Sequence, residues 1–226
     1  MQTEVKYRPA YALAIVTLSP NEGIRVDAGA MVSMSSDMQI ETKAQGGILK
    51  SLGRAVLGGE SFFQNTYRAS ARGGELTLAP PLPGDIFTLD MKGETLLMQS
   101  GAYVASSDGI TLDTKWTGAK TFFAGENLVM LRASGAGTLI FSSYGAIHEK
   151  NLGAGEKYKV DTGHIVAFSD GMGFSVQKVG GLKSTLFGGE GLIVELTGAG
   201  RLLMQTRSQG AFLEWLIPHL PKPSSS

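Results

Sequence analysis

Apolar residues come in short runs along this chain, separated about every ten residues by turns containing Gly, Asn-Glu-Gly or Asp-Gly. Ile15-Val16-Thr17-Leu18, Ile86-Phe87-Thr88-Leu89, Leu128-Val129-Met130-Leu131 and Leu192-Ile193-Val194-Glu195-Leu196 are examples. Runs this short, rich in β-branched and aromatic residues, suit strands with a buried face and predict an all-β fold. Asp108-Gly109 and Asp170-Gly171 lie between such runs and predict hairpin turns, where positive φ favours Asp-Gly. Asp37-Met38 holds the matching place earlier in the chain, so that turn need not be identical. Pro80, Pro81 and Pro83 cannot continue a central strand and mark a boundary there. Two stretches read as helical. Residues 48–57 place Ile48, Leu49, Leu52 and Val56 near one face, with Lys50 and Arg54 on another. Residues 208–217 predict a short C-terminal helix stopped by Pro218. The tail 221–226 has nothing apolar to bury and is expected to be loose.

The runs recur in a larger period. Gly47-Ile48-Leu49-Lys50-Ser51 leading to Gly58-Gly59-Glu60 is echoed by Gly118-Ala119-Lys120-Thr121 leading to Gly125-Glu126. It returns as Gly181-Leu182-Lys183-Ser184 leading to Gly188-Gly189-Glu190. Upstream of each block stand Val26-Asp27-Ala28-Gly29, Met98-Gln99-Ser100-Gly101 and Val160-Asp161-Thr162-Gly163. Each of these corners is followed by an apolar, serine-containing stretch: Met31-Val32-Ser33-Met34-Ser35, Tyr103-Val104-Ala105-Ser106-Ser107 and Ile165-Val166-Ala167-Phe168-Ser169. Landmarks in one order, three times over, predict three tandem units at about 11–80, 85–145 and 147–207. A lone unit of about 65 residues buries too little surface for comfortable stability. The three are therefore expected to fold together as a single compact domain spanning 1–226.

The stretch Gly46-Gly47-Ile48-Leu49-Lys50-Ser51-Leu52-Gly53-Arg54-Ala55-Val56-Leu57-Gly58-Gly59-Glu60-Ser61-Phe62-Phe63, with the glycine corners and tripled layout, resembles the altered-inheritance-of-mitochondria protein 24 family. The resemblance covers nearly the whole chain. It implies three β-sandwich-like repeats around a pseudo-threefold axis, each similar to the β-sandwich of the trp RNA-binding attenuation protein. Mitochondrial members of that family are linked to inner-membrane organisation, and bacterial members have no established activity. The family supplies no catalytic residues to carry across.

Composition narrows the function classes. Lys+Arg and Asp+Glu both number 20, and this neutral balance removes the electrostatic pull on which nucleic-acid binding usually depends. No nucleic-acid partner is expected. The absence of cysteine excludes disulfides, thiolate metal sites and cysteine nucleophiles, and suits a reducing cytoplasm. The run of residues 10–18 is too short to span a bilayer. A cytoplasmic protein is expected, with peripheral contact at the inner membrane as a further option. Charged residues make up 18%, below the usual quarter, which points to covered surface and self-association as a trimer or ring.

Candidate chemistry is sparse. Gly181-Leu182-Lys183-Ser184 lacks the glycine directly before the lysine that a phosphate-binding loop requires. His148, His164 and His219 share no ligand spacing, so no metal or other cofactor is expected. Glu60, Glu126 and Glu190 occupy equivalent places, as do Asp27 and Asp161 with Gln99 between them. Around a threefold axis such side chains form rings that hold a cation or polar ligand; the plainer reading is that each carboxylate caps a turn or strand start. Ile48, Leu49, Lys50, Leu52, Arg54, Val56 and Leu57 are candidates for contact with a membrane or another subunit. Trp215 shares that choice, docking onto the chain's own strands being the expected outcome. The favoured function is a non-catalytic, self-assembling β scaffold. The alternative is a small-ligand-binding protein or enzyme using the repeat-equivalent carboxylates near the axis.

Overall fold

The computed structural model describes residues 1–41, 64–113, 129–178 and 192–221. The three Gly-Lys blocks, the predicted helix at 48–57, Glu60, Glu126, Glu190 and the tail beyond residue 221 lie outside the described residues.

The first stretch of chain supplies β1 (Gln2–Lys6), β2 (Leu13–Leu18), β3 (Gly23–Asp27), β4 (Met31–Met34), β5 (Gln39–Glu41), β6 (Gln64–Arg68) and β7 (Gly74–Leu78). Next come β8 (Ile86–Gln99), β9 (Tyr103–Ser107), β10 (Ile110–Asp113) and β11 (Met130–Ser142). Then follow β12 (Ile147–Leu152), β13 (Lys157–Asp161), β14 (Ile165–Ser169), β15 (Gly173–Lys178), β16 (Leu192–Thr197) and β17 (Gly200–Gln205). A single α-helix among the described residues, α1 (Gln209–Leu216), runs on into a 3-10 turn at Ile217–His219 that contains Pro218. The protein is all-β, as expected from its short apolar runs.

The described residues form three sheets. One has the order β1-β2-β7-β4, and a small one has β13-β16-β15. The largest runs β12-β17-β14-β8-β11-β9-β3-β6-β5, with β10 also on β11. Period-two burial explains the strands: in β2, Ala14, Val16 and Leu18 are buried, while the residues between them are not. The run at residues 86–89 continues as one 14-residue strand, β8, paired along its length with β11. These two strands change direction together. Gly93 takes φ +107, while Gly135 and Gly137 take φ +117 and +136 around a register shift between Ser134 and Ala136. Both strands therefore contribute to two different packing layers.

Side chains between the sheets form three apolar clusters. The first gathers Val16, Ile24, Val26, Leu76 and Leu78, and is completed by Val104 and Ala105 of β9. The second gathers Leu96, Met98, Leu131, Leu139 and Phe141, and is completed by Val166 and Ala167 of β14. The third contains Val160, Phe168, Val194, Leu196 and Leu202, joined by Leu97 and Met130. Each fully buried Leu, Ile or Phe contributes about 1.5–3 kcal/mol relative to exposure, so clusters that borrow from later strands bind distant parts of the chain together.

Two local expectations are corrected. Gly171 takes φ +93 as an Asp-Gly hairpin requires, but Gly109 stays outside the left-handed region. Glycine is needed at 109 for space: a Cβ there would collide with the Ala136 carbonyl oxygen. The C-terminal helix forms where the spacing places it, yet none of its residues is buried, and Trp215 remains 61% exposed. Trp215 does not dock onto the strands. Ser208 caps the helix by accepting from the Ala211 amide, and an edge contact of Phe212 with Tyr144 joins the helix to the body; neither covers the indole.

Candidate functional site

The three glycine corners follow β3, β8 and β13, where each strand must turn sharply into the next. After β8 and β13 the turn is a single 3-10 helical turn, at Ser100–Ala102 and Thr162–His164. After β3 it is made by Gly29 at φ +97. Asp161 secures its own corner, its Oδ1 accepting from the Gly163 amide at 2.8 Å. Gln99, which holds the place of an aspartate, donates instead from Nε2 to the Thr162 carbonyl at 3.0 Å. The second and third corners therefore touch, and the amide that links them is the position where the middle copy lacks a carboxylate.

A cleft of about 580 Å³ opens beside these two corners. Its walls come from Gln99–Ala102, Asp161–His164, the Pro80–Leu82 linker, Ser142–Tyr144, Gln205 and the first turns of α1 through Glu214. Gln205 organises it. Its Oε1 accepts from the Tyr144 amide at 2.9 Å and its Nε2 donates to the Gly163 carbonyl at 2.8 Å. His164 Nδ1 lies 2.8 Å from the Gln205 carbonyl. A carbonyl oxygen only accepts, so Nδ1 carries the proton, and in the neutral ring Nε2 is left as an acceptor. The cleft thus presents an imidazole nitrogen, the Asp161 carboxylate, the Glu214 carboxylate and an apolar wall from Leu213. That set suits hydrogen bonding to a small polar molecule.

Asp27 is not among the residues lining this cleft. It sits half-buried at the end of β3, and loss of hydration pushes its carboxyl up to about 6 against the opposing help of the Ala28 amide. Nearby, Tyr103 is buried, with its hydroxyl 3.0 Å from the Arg25 carbonyl, 3.0 Å from Ser106 Oγ and 2.7 Å from Gln64 Nε2. Burial raises the Tyr103 phenol, and the Asp27 charge adds to the rise. Asp27 and Asp161 are therefore placed in different surroundings despite their equivalent places in the sequence.

Sequence reasoning set His164 aside for want of ligand spacing and did not name Gln205. Both have a signal of a subtler kind. The residue after the corner glycine is Ala30, Ala102 and His164 in the three stretches, so His164 is where the third departs from its siblings. Departures from a repeat mark individual tasks better than the shared residues do.

An apolar surface adjoins the cleft on α1. Phe212, Leu213, Trp215, Ile217 and Leu220 are all exposed, and Trp215 stacks at a tilt between Phe212 and His219. Among the described residues no helix is long and apolar enough to cross a membrane.

The sequence model of the family described as Mitochondrial biogenesis AIM24 matches residues 3–207. An uncharacterized protein of Streptococcus pyogenes serotype M6 is 26% identical over 223 residues, covering 95% of this chain and 89% of its own length. A crystal structure of a Streptococcus pyogenes protein is similar with a TM-score of 0.79 at 24% identity, covering 97% of this chain and 99% of that one. The structural likeness concerns the fold alone.

Proposed function

This chain belongs to the Mitochondrial biogenesis AIM24 family, and from its strand pairing we propose that it is a self-assembling β scaffold, not an enzyme. The observation that carries this reading is one six-strand scheme met three times. β2-β7-β4 with β3-β6-β5 is matched by β12-β17-β14 with β13-β16-β15. Between them, the halves of β8 and β11 pair in the same way with β9 and β10. The shared irregularities support copying as well. β4, β9 and β14 each slip register at their second residue, between Met31 and Ser33, between Tyr103 and Ala105, and between Ile165 and Ala167. Three copies of one sandwich joined side by side devote the chain to geometry, and its glycine corners are scaffold features first.

The exposed face of α1 supplies the contact with the outside. Phe212, Leu213, Trp215 and Ile217 form the kind of aromatic and aliphatic surface that lies in a lipid headgroup region. Several copies in one assembly would add their weak individual contacts. Light scattering of the full chain should return a multiple of 23.8 kDa, and vesicles containing anionic lipid should carry it upward in flotation. Trp215→Asp should abolish flotation while leaving the melting temperature within about 1 °C, because an exposed substitution changes stability little. A single-chain mass at every concentration, together with no flotation, would sink the reading.

The second reading is a small polar ligand in the cleft of Gln99, Asp161 and His164, favoured by the free acceptor that the Gln205 carbonyl leaves on the imidazole. A small molecule that raises the melting temperature of the native chain and not of His164→Phe would support it.

A further inference from the structure

Two junctions between the proposed copies are strand pairings, and they share one register. β9 pairs with β3 through Ile24↔Ser107, Arg25↔Ser106 and Val26↔Ala105. β14 pairs with β8 through Leu96↔Ser169, Leu97↔Phe168 and Met98↔Ala167. Counting from the corner glycines Gly29, Gly101 and Gly163, these are the same three positions on each side. The strands that would make a third junction of this kind are β4 and β13. Among the described residues each is the end strand of its sheet: β4 has β7 as its neighbour and β13 has β16.

The side chains on these strands behave as an uncovered junction should. Val104 and Val166 are 1% and 0% exposed, whereas their counterpart Val32 is 57% exposed. Ala105 and Ala167 are buried, and Ser33 is exposed. The clusters repeat the point: β9 completes the first, β14 completes the second, and no residue of β4 enters the third. On the other side, Tyr158 is only half-buried where Ile24 and Leu96 are fully so.

We propose that β4 of one molecule pairs with β13 of a second copy of this chain, antiparallel, in the register Val160↔Ser33, Lys159↔Met34 and Tyr158↔Ser35. The proposal rests on the three-copy reading given above. Its occupant follows from the chain's own junctions, because the strand that covers a β4-type edge twice already is a strand of the β3, β8 and β13 type. Val32 and Ser33 of one molecule then complete the third cluster of its neighbour. Such a contact is heterologous, one surface meeting a different one, so it generates either a closed ring or an open chain of molecules.

The chain has no cysteine, which makes the test clean. Met34→Cys and Lys159→Cys are prepared as separate full-length variants and treated, alone and mixed, with an oxidant and with a short bifunctional thiol reagent. A two-chain species formed at least several-fold more in the mixture than in either variant alone is the expected result. The double variant should give a ladder of linked chains, and Val32→Arg, placed on an exposed side chain, should reduce the native mass with the fold intact by circular dichroism. A fast-migrating single chain from the double variant shows that the edge closes within one molecule and overturns the proposal. No enrichment in the mixture also overturns it. In that case a native mass above one chain leaves the scaffold reading standing, whereas a single-chain mass with no flotation removes both.

Discussion

At the scale of the residue, Asp27 is where hydration and fold compete most openly. Its carboxyl is ordinarily half-protonated at 3.8 and in the folded chain near 6. Below 3.8 both states bind the proton and no penalty exists. Between 3.8 and 6 the folded state holds more protons than the unfolded one, so stability falls as pH rises, and above 6 the loss is complete. Asp27→Asn should remove that slope and raise stability at pH 7.5 by about 1 kcal/mol, a figure reduced for the solvent that still reaches the group. Urea titrations at pH 4.5 and 7.5 check it; a slope unchanged in the variant would assign the pH dependence elsewhere. The sequence showed where Asp27 and Asp161 recur, but not that one is half-buried near Tyr103 while the other is held by an amide in an open cleft. That difference comes from neighbours that the repeat does not share, namely Gln64 and Tyr103 around one corner and Gln205 and α1 around the other.

At the scale of the element, the strands were legible because burial on one face imposes period two, as in β2, and because Asp-Gly turns and prolines delimit the runs. The continuity of β8 and β11 was not legible. The apolar run is legible only as far as Leu89, but in the fold the strand continues to Gln99 and Gly93 bends it from one sheet layer into another. The bend depends on Gly135 and Gly137, whose positive φ strains any residue with a side chain. At Gly135 a Cβ would also collide with the Gly109 carbonyl oxygen. Gly135→Val should therefore cost roughly 2–4 kcal/mol, the sum of backbone strain and forced displacement of the β10 turn. Chemical denaturation gives the value directly, and a loss under 0.5 kcal/mol, the range of a neutral surface change, would mean the crossing does not need that conformation. Helix α1 was legible in position and misread in contact. Its apolar residues satisfy a pattern for docking, but pattern alone does not say whether the surface they face belongs to the same molecule.

At the scale of the whole molecule, the three clusters are not three independent cores. Val104 and Ala105 belong by sequence to the second stretch and by packing to the first; Val166 and Ala167 stand in the same relation to the second. Unfolding one stretch exposes the core of another, so the monomer should unfold in one cooperative transition. Calorimetric and van't Hoff enthalpies should agree when measured on Val32→Arg, where association is reduced. Two resolved transitions would show that the clusters are energetically separate. The tripled pattern predicted that units would share contacts, since one alone buries too little. It did not reveal that β9 and β14 each reach back into the cluster before them, while Leu97 and Met130 of the second stretch join the third.

This sharing has a consequence during synthesis on the ribosome. Most residues of the first cluster emerge early, but Val104, Ala105 and Ile140 that complete it are made after β8. At about 5–20 residues per second, the nascent chain carries an open apolar face for seconds before its lid arrives. A pause in translation between residues 79 and 140 would lengthen the interval in which chaperones and proteases meet that face. Slower elongation over that part of the message should therefore lower the yield of this protein in a cell.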